Sequence, residues 1–392
     1  MQRKDAVPGK MKTHSKSMPC GVERYREVAD ILCAEIHSGK YKASGLLPSL
    51  TSIMRRFSIS RATAARSVAD LRGRRLVKCT KGSRTVVMRV GAANKIGLIA
   101  PDIAMNEFFR SIVGEIDQIA VRAGYSLRIA DTWSVDRTER IRQIREYSAR
   151  FVRERFAGVI YAPLDGADGD RLNAHICRVF DRKGIPVVLL DCDVAHFPER
   201  SHYDVVGVND VEAGARMARH LLSAGARNVH FLMGAGSPET FDRRRAGAEM
   251  VFASELGMCM HCAEFVLRAE AGDLAALKRH LKRAKRRPDA FICGNDILAA
   301  EFVRTLRRAG LRVPGDVMVT GFGDFRKAAE SEPPLTTIRQ DMHTMAAVAF
   351  RRLVNRIAQP DMTPCDIFLP APLVVRESTG GTTGKTTRGS EK

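Results

Sequence analysis

Three groups of residues in this 392-residue chain have types and spacings that can do chemistry. The first is "SISRAT", where Ser60 and Arg61 open an apolar-periodic stretch. Ser60 is a good helix N-cap, and a free arginine at that end of a helix can reach guanine O6 and N7 in a major groove. The second is Cys259 and Cys262, a C-x-x-C around His261. One such pair supplies at most three metal ligands, and no second pair at zinc-site spacing follows, so no metal centre is expected. The third is a pair of glycine-rich runs. "GAGSPE" has Gly234 and Gly236, but Glu239 stands where a dinucleotide motif needs its third glycine. "GGTTGKT" is one residue short of a phosphate-binding loop and sits in a Thr/Gly-rich tail. There is no G-x-S-x-G elbow and no H-E-x-x-H, and the ten histidines are dispersed, with His230 reading as a structural residue. No catalytic site and no cofactor are expected.

These groups need elements to hold them, and composition bounds those elements. At 392 residues with 45% hydrophobic content, the chain has room for two or three globular domains. No run of 18 apolar residues offers a membrane span. The basic N-terminus lacks the apolar core of a secretory signal, so a cytoplasmic protein with mostly buried, reduced cysteines is expected. The net charge of +20 is concentrated: residues 1–94 hold 20 Lys/Arg against 6 Asp/Glu. A basic block at one end of a near-balanced chain points to a polyanion, nucleic acid ahead of a membrane surface.

Within that block, residues 1–20 read as a flexible basic tail. From Tyr25 a helical stripe (Val28, Ala29, Ile31, Leu32, Ile36) runs to Gly39. After "LLPSL", Pro48 and Ser49 open a short helix with Leu50, Ile53, Met54 and Phe57 inward. Ser60 then caps a third helix with Ala64, Val68 and Leu71 inward. "LVKCT", a turn at "KGSR" and "TVVMRV" read as a two-stranded hairpin. Three helices and a hairpin make a winged helix-turn-helix over 21–90.

The order "YREVADILCAEIHSGKY … LLPS … FSISRAT … LRGRRLV … KGSRTVV" resembles the DNA-binding domain of the GntR family. That resemblance implies DNA contacts by Ser49, Ser60, Arg61, Ala62, Thr63, Arg66, Lys81, Gly82 and Arg84. Arg66, farther along the helix, suits phosphate. The family's Glu-Arg after "LPS" is replaced by Leu50 and Thr51, and the second wing glycine by Arg84, which implies an altered operator.

After a linker at 91–94, eight strand-like runs from "KIGLIAP" to "VMVTGF" alternate with amphipathic helices, which predicts two parallel sheets with helices on both faces. The phrases "IGLIAPDIAMNEFF", "VNDVEAGARMARHLLSAGARNVHFL", "PDAFICGNDILAA" and "GLRVPGDVMVTGFGD" resemble, in order, the ligand-binding domain of the Lac repressor family, similar to periplasmic sugar-binding proteins. The expected fold is therefore α/β: a winged helix-turn-helix plus a two-lobed periplasmic-binding-protein-like domain over 95–378, with a tail at 379–392. The resemblance implies lobe 1 at 95–190 and 340–360, lobe 2 at 191–339 and 361–378, and crossovers near Asp191, Arg339–Gln340 and Gln359–Asp361. It also implies ligand contacts by Phe108, Phe109, Asp191, Arg244, Asn295, Gly323 and Gln340. The expected effector is a sugar, a sugar acid or a sugar phosphate; Gly323 replaces the usual Asp, Arg243 to Arg245 lie near, and "GFGD" resembles gluconate-type members, which favours the acid and the phosphate.

Together the halves predict a transcriptional regulator, a homodimer on a palindromic operator in double-stranded DNA, repressing until a small-molecule effector binds, with no membrane role. A sugar-binding protein without specific DNA recognition and a sugar-modifying enzyme are the alternatives.

Overall fold

The computed structural model describes residues 21–37, 40–41, 45–73, 76–79, 84–87, 94–134, 136–164, 167–196, 199–234, 237–257 and 265–381. The expected basic tail, wing residues Lys81 and Gly82, the Cys259–Cys262 pair and residues 382–392 lie outside them. The chain divides into two compact units, an N-terminal one ending at Gly91 and a larger one beginning at Ala92.

The N-terminal unit carries α1 (Gly21–His37), α2 (Leu50–Phe57) and α3 (Arg61–Gly73), then β1 (Val77–Lys78) and β2 (Val86–Val87). Val28, Ala29, Leu32 and Ile36 of α1 meet Ile53 of α2 and Ala64, Val68 and Leu71 of α3 in one core. This is the inward set that 3.6-residue periodicity selects, except Ile31, which the sequence pattern placed in the stripe but which is 45% exposed. The hairpin is antiparallel, with Val77 opposite Val87. Its outer strand has a second partner that periodicity missed: Leu46 bridges Val86, the Leu47 N–H donates to the Thr85 carbonyl, and the Val87 N–H to the Gly45 carbonyl.

The larger unit alternates strand and helix. The first lobe has β3 (Lys95–Ala100), α4 (Glu107–Ala123), β4 (Ser126–Asp131), α5 (Arg137–Arg153), β5 (Gly158–Tyr161), α6 (Ala167–Asp181), β6 (Val187–Leu190) and β7 (Asp204–Val208). The second has α7 (Asp210–Ser223), β8 (Val229–Met233), α8 (Glu239–Leu256), β9 (Val266–Arg268), α9 (Leu274–Arg283), β10 (Ala290–Cys293), α10 (Asp296–Arg308), β11 (Met318–Thr320) and α11 (Arg326–Glu330). Then come β12 (Thr337–Ile338), α12 (Met342–Ala358), β13 (Asp366–Leu369) and β14 (Leu373–Val374). Two parallel sheets result, ordered β13-β7-β6-β5-β3-β4 and β11-β10-β8-β9, as the alternation predicts. Their central strands are buried on both faces, the mark of a parallel sheet covered by helices.

The lobe boundaries need two corrections. β7 pairs with β6 (Val188 opposite Asp204), so the first crossover follows Val208 rather than Asp191. β13 pairs with β7 (Asp366 opposite Val205), so the third lies between Leu369 and Leu373 rather than at 359–361. A fully buried apolar strand reads the same in either lobe; only its distant partner decides. The second crossover, at Arg339–Asp341, leads from β12 into α12, which packs on β5, β6 and β7. Asn209 and Asp341 end two of the crossovers as side-chain caps on α7 and α12.

One further feature fixes lobe 2. α7 and α8 approach so closely that a Cβ on Gly214 would lie 1.9 Å from the Arg244 carbonyl oxygen, and one on Gly247 1.9 Å from that of Val211. Only glycine allows this backbone-to-backbone contact.

Candidate nucleic-acid interface and effector cleft

In the N-terminal unit, α2 and α3 each begin on the cap read from sequence. The Ser49 Oγ accepts from the Ser52 N–H at 3.2 Å, and the Ser60 Oγ from the Thr63 N–H at 3.2 Å. A cap leaves the other first-turn N–H groups and the helix dipole available to an anion. Arg61 and Ala62 are exposed at that end and Thr63 half-buried. Arg66 is exposed but has a partner: its guanidinium lies 4.3 Å from the centroid of the Tyr25 ring. Ser67, fully buried, donates to the Tyr25 carbonyl and locks α3 onto α1. Arg84 is exposed beside β2.

Behind this surface, Arg56 of α2 holds Glu35 of α1, with Nη1 at 2.6 Å from Oε2. That bond, with others from Lys40 and Tyr41, holds the Glu35 carboxyl down at about 2 against its own desolvation. Periodicity could not show this strut, because both residues lie off the apolar stripe.

In the larger unit, four of the residues expected at the ligand, Arg244, Asn295, Gly323 and Gln340, gather around one loop, Gly321 to Arg326. Arg244 is buried, with its Nε donating to Asp210 at 2.7 Å, its Nη1 to the Gly294 carbonyl at 2.7 Å, and its guanidinium 3.4 Å from the Phe322 ring centroid. Asn295 caps α10, its Oδ1 accepting from the Leu298 N–H; its Nδ2 has no protein partner among the described residues. Gln340 is 5% exposed, its N–H donates to the Gly323 carbonyl at 3.4 Å, and its side-chain amide has no protein partner among the described residues. Gly323 takes φ 124°, and a Cβ there would sit 2.6 Å from the Phe325 ring. The absence of an Asp side chain at 323 is therefore built into the backbone.

Asp324 does not supply the missing acceptor. It is held by Arg339 and Arg376, each at 2.6 Å. Phe108 and Phe109 are buried edge to face at 5.1 Å in the first turn of α4. Next to them the Glu107 Oε1 accepts from the Arg326 N–H at 3.1 Å, a contact from lobe 1 to the same loop of lobe 2. Asp191 is at the C-terminal end of β6, with φ 74°, and is not brought to this cluster by any bond described.

Several residues here were not legible beforehand. Asp296, fully buried, accepts from the Phe325 N–H at 2.8 Å and the Thr337 hydroxyl at 2.6 Å, tying α10 to the loop and to β12. Burial pushes its carboxyl up to about 6 despite those donors. Asp102, after β3, has φ 54°, a buried Oδ1 without a hydrogen-bond partner among the described residues, and a carboxyl raised by burial. His196 of lobe 1 lies 3.5 Å from Glu239 of lobe 2. A cavity of about 290 Å³ opens at the first crossover, lined by Asp193, Asn209, Asp210 and Arg243.

The arginines behind the sugar-acid expectation are all engaged. Arg243 pairs with Glu239, Arg244 with Asp210, and Arg245 with both Glu249 and Asp242.

Comparison with known proteins agrees with both halves. Residues 24–87 match the bacterial regulatory proteins of the gntR family, and residues 218–379 match the periplasmic binding protein-like domain. The arabinose metabolism transcriptional repressor of Geobacillus stearothermophilus is 27% identical over 368 residues, covering 91% of this chain and 97% of that protein. The structure of the transcriptional regulator CelR in complex with cellobiose matches with a TM-score of 0.63 at 20% identity, over 90% of this chain and 99% of that one. The Lac repressor dimer bound to operator matches with a TM-score of 0.60 at 22% identity, over 73% and 94%. No helix among the described residues is long and apolar enough to cross a membrane. The chain is thus a transcriptional regulator that joins a GntR-type DNA-binding head to a periplasmic binding protein-like effector domain.

Proposed function

We propose that this regulator is a cytoplasmic repressor that binds a palindromic operator as a homodimer and leaves it when a neutral sugar occupies the cleft. The observation that carries the ligand class is that Arg243, Arg244 and Arg245, the three arginines behind the sugar-acid expectation, are each paired with an acid and so are not free to hold a carboxylate or phosphate. What remains unpaired is suited to hydroxyl groups. Asn295 Nδ2 and the Gln340 amide nitrogen can donate, and the Gln340 amide oxygen can accept. Phe108 and Phe109 follow Glu107, which touches the 321–326 loop, and add apolar surface to lobe 1 there. The relative named for arabinose metabolism and the cellobiose complex both concern neutral sugars, which supports the same class.

A dimer is supported by β4, an edge strand, where Ile129 is 47% exposed, with Trp133 (50%) just beyond it and Val121 (62%) on α4. Such residues cluster at subunit interfaces. Control is thermodynamic linkage: a ligand that favours the closed lobes over the operator-bound form lowers DNA affinity by the coupling free energy, about 1–3 kcal/mol in typical cases.

The test is a gel shift on DNA upstream of the protein's own gene with excess competitor, followed by titration of pentoses, hexoses, disaccharides and their acids. A discrete band released by a neutral sugar supports the reading. Release by a sugar acid alone would overturn the ligand class, and a smear that competitor abolishes would overturn specific recognition.

A further inference from the structure

The positive charge of the effector domain is not spread over it. Residues 271–312 hold eleven Lys/Arg against four Asp/Glu, a surplus of seven, while residues 95–392 as a whole have a surplus of only six. The rest of the domain is therefore slightly negative, and lobe 2 carries a basic field on neighbouring helices, since α9 packs against α10. On α9 and just past its end, Lys278, Arg279, Lys282, Arg283 and Arg286 are all exposed and form no ion pair among the described residues. Arg304 and Arg308 of α10 are likewise exposed and unpaired among them.

Helix stability does not account for the pattern. Lys282 and Arg283 lie in the last turn of α9 and complement its dipole. Yet Lys278 with Lys282 and Arg279 with Arg283 are like charges four apart, which costs a helix a few tenths of a kcal/mol each, on the order of 0.2–0.5. The rows oppose the element that carries them. Their composition also selects the partner. Between 271 and 312 the one large apolar residue that is exposed is Ile297, at the other end of α10. Leu256 and Phe265 line a cavity beside Arg286 but are half-buried, so among the described residues the α9–α10 surface itself presents, apart from Ile297, no exposed aromatic or aliphatic anchor for a protein partner, a membrane or stacked single-stranded bases. Arginine forks and lysines alone suit the phosphates of a duplex.

We infer that the α9–α10 face of lobe 2 is a second DNA-contacting surface, which binds the backbone of double-stranded DNA without reading sequence, in addition to the winged helix-turn-helix head.

The experiment measures binding of the full chain to a random-sequence duplex by fluorescence anisotropy across a salt series. Wild type is compared with a patch variant, Lys278→Gln, Lys282→Gln, Arg283→Gln and Arg286→Gln combined, and with Arg304→Gln plus Arg308→Gln as a second variant on the other helix. Melting midpoints report that each folds. Loss of four phosphate contacts should make the slope of log K against log salt shallower by about 3–4, and the two-site variant by about half that. The same change should appear when Arg61→Ala is also present. Slopes equal to wild type in both folded variants overturn the inference and return these cations to solvent or to an acidic partner. A wild type that does not discriminate its own upstream DNA, yet whose slope still falls in the variants, would sink the proposed specific repression and leave this surface standing.

Discussion

Arg61 and Arg66 stand five residues apart on one helix and have different roles in the structure. Arg61 is exposed at the capped end, whereas Arg66 is stacked on Tyr25. Replacing Arg61 by Ala should cost about 1–3 kcal/mol of operator binding and change random-duplex binding little; competition titrations on the two DNAs check this. Arg66→Ala should lower both, and should also loosen the α1–α3 contact, visible as a lower melting midpoint. In the effector domain Asp296 gives a pH prediction. Its folded pKa, about 6, lies above the unfolded value, so the native state binds more protons between those values and loses stability as pH rises through them. Asp296→Asn keeps the shape without the ionisation. Relative to wild type it should therefore gain stability from pH 4 to pH 7, by at most about 3 kcal/mol, as chemical unfolding at several pH values would measure. Glu35 acts in the opposite sense: its carboxyl is depressed to about 2, so its contribution to the head is complete at neutral pH and is lost as pH falls from the ordinary carboxylate range toward that value.

At the scale of elements, much was legible and some was not. The helices of the head follow from apolar spacing, and Ser49 and Ser60 from cap chemistry, because both are local signals. The Gly45–Leu47 contact to β2 was not legible, since three residues before Pro48 show no alternation. β9, β12, β13 and β14 were also missed: each is only two to four residues long, and β13 alternates exposed and half-buried positions, a weak signal at a sheet edge. The residues expected at the ligand came from their phrases, but their structural partners could not. That Asn295 spends its oxygen on a helix cap, and that Arg244 is held by Asp210, depends on contacts 3 to 50 residues apart. The α7–α8 contact makes an element-level prediction. Gly214→Val must push the two helix backbones apart, and should lower the melting midpoint and weaken sugar binding through Arg244, while the operator contacts of the head persist; differential scanning calorimetry and ligand titration separate these.

At the scale of the whole molecule, repression and its release are one linkage cycle, so the sugar should bind more weakly, by the same factor, when operator DNA is saturating. Calorimetric titration of the effector with and without operator duplex checks that equality, and unequal factors would mean that the cycle has an unaccounted step. The first lobe adds a constraint of another kind. Asp204, fully buried at the start of β7, is satisfied by Arg352 and Arg356 of α12 and by the Cys365 N–H, and β7 gains its outer neighbour only from β13. During synthesis the head can fold as soon as it leaves the ribosome, yet a lobe begun at Lys95 waits for residue 369 before its sheet is complete and its buried carboxylate is neutralised. A nascent chain therefore carries a finished DNA-binding head for the whole time that its sensor is still unfinished.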